Sequence, residues 1–123
     1  MLNVLVADDD FANLETLSSA LVAAGHRVLR AGDGGDALRI LTNQRCDVVV
    51  CDDEMPVLDG AQLVTAMQAT ARLAGIPVIV MVDAVTPRVA SLEGAQVIAR
   101  PVRIPQLLAL VEQLRTSGRA GAE

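Results

Sequence analysis

The chain has 123 residues and a mass of 12.9 kDa, which is enough for one compact domain and too little for two. Hydrophobic residues make up 52% of it and aromatic residues 1%, so aromatic platforms on which nucleic acid bases stack are missing. Fifteen acidic residues oppose ten basic ones, all of them arginine, for a formal net charge of −5. This balance argues against binding to DNA or to an anionic membrane surface, and the lack of lysine excludes Schiff-base catalysis.

Short apolar strands alternate with amphipathic segments along the chain. The first half predicts a strand at 2–7, a helix from Phe11 until Gly25 ends it, a strand at 27–31, a helix over 36–43 and a strand at 47–51. The second half predicts a helix from about 58 to 73, strands at 76–82 and 95–99, and a last helix beginning near Pro105. Five strands that alternate with helices imply a parallel sheet covered by helices on both faces.

Acidic residues cluster where the predicted strands end. They follow the first, third and fourth strands: Asp8, Asp9, Asp10, Asp52, Asp53, Glu54 and Asp83. Because the loops after parallel strands meet at one edge of the sheet, these residues should line a single crevice. Helix capping explains an acid such as Asp10, but it does not explain Asp8, Asp9 and Asp52 together, since two carboxylates about 4 Å apart repel by roughly 4 kcal/mol. An oxygen-only cluster without histidine or thiolate predicts a hard cation, Mg²⁺ or Mn²⁺.

Short motifs in these loops resemble a known family. The segment LVADDD ends at Asp10, the segment DVVVCD ends at Asp52, and Met55-Pro56 and Asp59-Gly60 follow. Together they resemble the receiver domain of two-component response regulators over nearly the whole chain. The resemblance implies a flavodoxin-like, doubly wound (βα)5 three-layer sandwich whose five parallel strands lie in the order 2-1-3-4-5.

The resemblance also implies a role for each acid. Asp52 would be the phosphoacceptor, whose carboxylate takes a phosphoryl group from a phosphohistidine. Asp9 would ligate Mg²⁺ or Mn²⁺ directly and Asp8 through a water molecule, with Asp52 and the backbone carbonyl of Glu54 as further ligands. The implied partner is a sensor histidine kinase or a histidine phosphotransfer protein. We expect no direct nucleic acid binding, no membrane insertion, and no enzymatic activity beyond slow self-dephosphorylation.

Three positions depart from the family pattern. Where receivers have a lysine before a proline, this chain has Arg100 before Pro101. The usual Ser or Thr after strand four is replaced by Val82 or by Asp83, depending on the alignment, and the usual aromatic residue by Val97. An arginine keeps the charge of lysine but has a longer, planar head that binds carboxylate or phosphate with two donors. We therefore expect the acidic site and its metal affinity to be kept, and switching through strands four and five to be weakened or replaced.

Two other interpretations stay open. The missing hydroxyl favours a degenerate receiver that acts as an interaction module without phosphorylation. A Mg²⁺-dependent hydrolase would use Asp52 as nucleophile and Glu54 on the leaving group, although no basic or hydroxyl substrate clamp accompanies them.

Four predictions concern the rest of the chain. The stretch between Asp83 and Arg100 is short for the family, so we predict a fourth helix reduced to a turn or two within 87–93. His26, just before the second strand, is predicted to lie at the surface. The receiver domain is predicted to span 1–116, with 117–123 as a flexible tail. The lack of a signal peptide and of a long apolar stretch predicts a cytoplasmic location.

Overall fold

The computed structural model describes the backbone of residues 1–122 and the side chains of residues 1–114. Within the described backbone, five strands alternate with five helices. The strands are β1 (Asn3–Ala7), β2 (Arg27–Ala31), β3 (Val48–Asp52), β4 (Val78–Val82) and β5 (Ala95–Ala99). The helices are α1 (Phe11–Ala23), α2 (Gly34–Asn43), α3 (Gly60–Gln68), α4 (Pro87–Ala90) and α5 (Ile104–Ala122). The predicted tail at 117–123 lies outside the residues whose side chains are described, so the boundary at residue 116 stays a prediction.

The strands form one parallel sheet in the order β2-β1-β3-β4-β5, which confirms the predicted doubly wound fold. Side chains on the two faces of the sheet feed two separate core clusters: Leu5 and Val49 pack on one face, while Val4 and Val48 pack on the other. All residues of β3 and β4 are buried, as expected for central strands of a sheet covered on both sides. Because β1 leads outward to β2 on one side and β3 continues to β4 on the other, a crevice opens at the carboxyl ends of β1 and β3.

Element ends differ from the sequence-based predictions in places that matter for the crevice. Strand β3 extends to Asp52, which stands opposite Met81 in the ladder, so this carboxylate is carried by the strand rather than by the loop. Helix α3 begins after a reciprocal capping box between Asp59 and Gln62 and ends at Gln68, five residues earlier than predicted. Helix α4 has only four residues, as the short β4–β5 interval predicted.

The loop after β3 packs tightly against the start of α2. The Gly34 N–H donates to the Pro56 carbonyl at 3.3 Å, and a Cβ atom at Gly34 would collide with the backbone carbonyl of Leu58. Val57 has a φ of 71°, a left-handed conformation that is costly for a β-branched residue. The glycine at position 34 therefore lets the loop that follows Asp52 approach α2 closely.

His26 is buried, with 8% of its surface exposed, so its predicted surface position is wrong. Its Nδ1 accepts a hydrogen bond from the Leu2 N–H at 3.3 Å, and its Nε2 lies 3.4 Å from Oε1 of Glu112 on α5. The ring thus joins the start of β1 to α5. Among the described residues, no helix is both long enough and apolar enough to cross a membrane.

Candidate acidic site

A cleft of about 940 Å³ opens at the carboxyl edge of the sheet. Its lining includes residues predicted from the sequence to form the site: Asp9, Asp52, Glu54, Asp83 and Arg100. They follow or end four different strands, β1, β3, β4 and β5, so the parallel topology alone explains why residues distant in sequence meet here.

Three carboxylates converge at the base of the cleft. Asp8, Asp9 and Asp52 each offer one oxygen, and these oxygens lie within 4.8 Å of one another. Asp8 is almost fully buried, Asp52 is 9% exposed and Asp9 is exposed, which leaves a route from solvent to the cluster. The three predicted acids thus lie together, in an arrangement of hard oxygen donors that suits a hard divalent cation.

One oxygen of this cluster is buried without a donor. Oδ1 of Asp8 accepts from the Asp10 N–H at 2.9 Å, whereas Oδ2 has no hydrogen-bond partner among the described residues. Burial raises the pKa of Asp8, and repulsion from the Asp52 carboxylate raises it further. A buried carboxylate oxygen that lacks a donor and faces other carboxylates is expected where a cation belongs.

The guanidinium of Arg100 faces the same carboxylates. Its Nη2 donates to Oδ1 of Asp52 at 2.9 Å and lies 3.8 Å from Oδ2 of Asp8, while its Nη1 lies 3.6 Å from Oδ1 of Asp83. Burial by itself would lower the pKa of Arg100, but the hydrogen bond and the attraction to Asp52 outweigh it and raise that pKa above its ordinary value. Arg100 is therefore charged at every relevant pH and offsets part of the negative charge of the cluster.

Val82 and Asp83, the two residues that could occupy the usual hydroxyl position, lie in different environments. Val82 is fully buried in the core cluster that also contains Cys51, whereas the side chain of Asp83 is 84% exposed and lines the cleft. Neither supplies a hydroxyl group. Thr86 also lines the cleft, and its side chain caps α4 by accepting from the Val89 N–H at 3.3 Å. Sequence reasoning missed Thr86, although a Thr directly before Pro87 is a recognisable helix start.

The backbone around Asp52 is fixed by close packing. The Asp53 N–H donates to the Met81 carbonyl at 2.9 Å, and the Gly60 N–H donates to the Asp53 carbonyl at 2.9 Å. A Cβ atom at Gly60 would lie 2.8 Å from the Asp52 carbonyl oxygen, so α3 starts directly on the site. The Glu54 N–H lies 3.4 Å from Oδ1 of Asp52. These contacts fix the backbone from which the Asp52 side chain reaches the cleft.

An ion pair between α4 and the start of α3 lies beside the cleft. Arg88 of α4 donates to both carboxylate oxygens of Asp59, at 2.9 and 3.3 Å. Burial alone would raise the pKa of Asp59, but hydrogen bonds from the Gln62 N–H and from Arg88 hold it below its ordinary value. Burial raises the pKa of Asp53, and repulsion from Asp59 adds to this effect. The Arg88 bridge ties the start of α3 to α4.

Val97 lies at the position where the family resemblance expects an aromatic side chain. It stands opposite Val80 in the β4–β5 ladder and packs, partly buried, against the core cluster that contains Cys51 and Val82. No ring is available there to move between an inward and an outward position.

The parallel sheet with an acidic cluster at its carboxyl edge places the chain among doubly wound α/β proteins that bind a ligand at the topological switch point. The family model of the response regulator receiver domain matches residues 4–112. The chain therefore belongs to the response regulator receiver domain family.

Known relatives agree with this assignment. The transcriptional regulatory protein PrrA of Mycobacterium tuberculosis is 39% identical over 113 residues, which cover 90% of this chain and 48% of PrrA. The chain thus spans about half the length of the curated relatives it matches. The structure of a Francisella response regulator receiver domain is similar with a TM-score of 0.87 at 27% identity, covering 95% of this chain and 98% of that one.

A further solved structure shares the fold. The receiver domain of a sensor histidine kinase from Pseudomonas aeruginosa PAO1 has a TM-score of 0.86 at 23% identity, covering 94% of this chain and 98% of that one. It holds a magnesium ion in its active-site cleft. Receiver domains as a family are signalling phosphoacceptors rather than classical enzymes, and they take phosphoryl groups from histidine kinases.

Proposed function

We propose that this chain accepts a phosphoryl group on Asp52 from a phosphohistidine of a sensor histidine kinase or a histidine phosphotransfer protein. The observation that carries the proposal is the convergence of Asp52 with two further carboxylates and with the Arg100 guanidinium at one end of an open cleft. A carboxylate oxygen of Asp52 attacks phosphorus, the bond from phosphorus to the histidine nitrogen breaks, and an acyl phosphate forms.

The same residues fit a divalent cation. Asp9, Asp52 and the backbone carbonyl of Glu54 would hold it directly and Asp8 through a water molecule, and the unpartnered Oδ2 of Asp8 supports this set. Mg²⁺ bound there would neutralise charge on the phosphoryl oxygens during in-line transfer. Mn²⁺ prefers the same oxygen ligands and is expected to substitute for it.

Arg100 takes the place of the usual lysine in this proposal. Its Nη2 donates to Asp52 in the resting site and, after transfer, to an oxygen of the phosphoryl group. Neither Val82 nor Asp83 offers a hydroxyl and Val97 offers no ring, so the signal leaves the site by contacts other than the usual hydroxyl and aromatic pair.

Intact-mass measurement tests the proposal. The protein is incubated with Mg²⁺ and acetyl phosphate, and we expect the mass of one phosphoryl group to be added. The Asp52→Asn variant should gain nothing, while the matched variant Asp53→Asn, one residue further along, should still be labelled. No adduct on the unaltered protein, or equal labelling of Asp52→Asn, would overturn the phosphoacceptor assignment.

The alternative is a degenerate receiver that binds its partner without phosphorylation. It is favoured by two observations: Arg100 already engages Asp52, and an acid rather than a hydroxyl group faces the cleft at Asp83. A protein that gains no adduct and binds its partner equally well after Asp52→Asn would support this alternative.

A further inference from the structure

We propose that Asp83 is a positioning residue: it holds one edge of the Arg100 guanidinium so that the other edge faces Asp52 and the phosphoryl group that Asp52 carries. The inference rests on the proposed function, since it assigns the part that Asp83 plays in phosphoryl transfer. It treats the two departures at Asp83 and Arg100 as one paired change.

The geometry of the guanidinium carries the argument. Nη1 of Arg100 lies 3.6 Å from Oδ1 of Asp83, and Nη2 lies 2.9 Å from Oδ1 of Asp52. Because the head group is planar and rigid, an anchor on one edge sets the direction of the other edge. The ammonium group of a lysine is a point charge with no second edge to anchor, whereas the planar guanidinium of an arginine presents donors on more than one edge.

The backbone places the two residues side by side. Val82 and Ala99 are partners in the β4–β5 ladder, and Asp83 and Arg100 are the residues directly after them. The Arg100 N–H also donates to the Val82 carbonyl at 2.8 Å. The ladder therefore places Asp83 and Arg100 next to each other at the end of the sheet, within reach of one another's side chains.

A simple repulsion account makes the opposite prediction. Asp83 is a negative charge on the wall of a cleft that receives an anion, so repulsion alone predicts faster phosphorylation when the charge is removed. Positioning predicts slower phosphorylation, because Arg100 loses its second anchor. The sign of the change after Asp83→Asn therefore separates the two accounts.

The test measures the second-order rate constant of phosphorylation by acetyl phosphate in Mg²⁺ for a set of variants. We expect Asp83→Asn to lower it about two- to fivefold, the size expected for a largely exposed ion pair. Asp83→Glu keeps the anchor and should stay near the unaltered protein. Glu93→Gln removes an exposed acid that the site does not use and should change nothing.

A second background makes the test specific to Arg100. In Arg100→Gln there is no guanidinium to position, so adding Asp83→Asn should raise the rate constant through loss of repulsion. A reversal of sign between the two backgrounds is the expected result. Equal changes in both backgrounds, or a rate increase for Asp83→Asn when Arg100 is present, would overturn the inference.

An independent signal distinguishes failure of the inference from failure of the proposed function. Arginine side-chain NMR of the unphosphorylated protein should show slow rotation about the Arg100 guanidinium, and faster rotation in Asp83→Asn. If no phosphorylation occurs but the rotation changes as expected, the proposed function fails while the positioning contact stands. If the protein is phosphorylated and neither rotation nor rate responds, the positioning role is wrong.

Discussion

Replacing Asp8 with asparagine is predicted to make the protein more stable while weakening its metal binding. Asp8 carries a buried oxygen without a donor and lies within 4.8 Å of the carboxylate oxygens of Asp9 and Asp52. Asparagine keeps the acceptor for the Asp10 N–H, removes the charge and adds a donor that reaches towards Asp52.

The magnitude follows from the distances. At an effective dielectric constant of about 20, two unit charges 4.8 Å apart repel by about 3.5 kcal/mol, and Asp8 has two such neighbours. The Arg100 Nη2 atom, 3.8 Å away, offsets roughly one of these repulsions. With relaxation and water access, we expect Asp8→Asn to raise the free energy of unfolding by about 1–3 kcal/mol, within the range of costs for a buried unsatisfied polar group.

Urea denaturation in chelator and in Mg²⁺ measures both effects. Saturating Mg²⁺ at about one hundred times its dissociation constant should stabilise the unaltered protein by about 2.7 kcal/mol, and Asp8→Asn should gain clearly less. Asp10→Asn is the matched control, since Asp10 lies in the same loop but outside the carboxylate cluster, and asparagine caps α1 equally well. An Asp8→Asn protein that is less stable in chelator, or that gains as much from Mg²⁺, would refute the reasoning.

Three further predictions concern parts of the molecule around the site. Val57→Gly should raise the free energy of unfolding by up to about 1 kcal/mol in urea denaturation, because glycine adopts a φ of 71° freely. The control Val22→Gly, inside α1, should lower it by a similar amount. Equal destabilisation by both variants would contradict this prediction. The pKa of Asp59 is held below its ordinary value, so the stability that its carboxylate contributes is present above pH 3.8 and is lost as the pH falls through the lowered pKa. In Asp59→Asn, the free energy of unfolding should therefore fall less steeply at acidic pH. An unchanged acidic part of the stability profile would count against this prediction. Cys46 and Cys51 are buried, and burial raises the pKa values of their thiols to about 11 and about 12. A thiol reagent at neutral pH should therefore react with them only after the protein unfolds. Rapid labelling of the folded protein would argue against this burial.

The order of the elements and the location of the cleft were predictable from the sequence. Each central strand is an apolar run buried on both faces, and the acids at positions 8, 9 and 52 directly follow or end such runs. Parallel topology then requires these acids to meet at one edge of the sheet. The helix caps were also predictable, because a cap depends only on residues next to it in sequence. Asp10 caps α1 and Asp33 caps α2, as their positions suggest.

Features that depend on distant contacts were not predictable. His26 follows a helix-ending glycine in sequence and looks exposed, yet Leu2 and Glu112, which lie far away along the chain, cover it. Val57 has a positive φ although no glycine or asparagine marks the turn, because the surrounding loop imposes the conformation.

The environments of Val82 and Asp83 also depend on contacts between distant parts of the chain. The two alignments differ by one residue, and only the folded chain shows that Asp83 lines the cleft while Val82 is buried in the core. The sequence suggested that Arg100 pairs with Asp52 or with Asp83, and the structure places its guanidinium within 4 Å of both carboxylates.

Locating the phosphoryl group is the most direct test of the account. After incubation with Mg²⁺ and acetyl phosphate, borohydride reduction converts an aspartyl phosphate to homoserine, and tandem mass spectrometry of the peptides locates the converted residue. The account predicts homoserine at position 52 alone, and only in samples that contain Mg²⁺. Conversion at Asp8, Asp9 or Asp53, or no conversion anywhere, would contradict the assignment of Asp52 as phosphoacceptor.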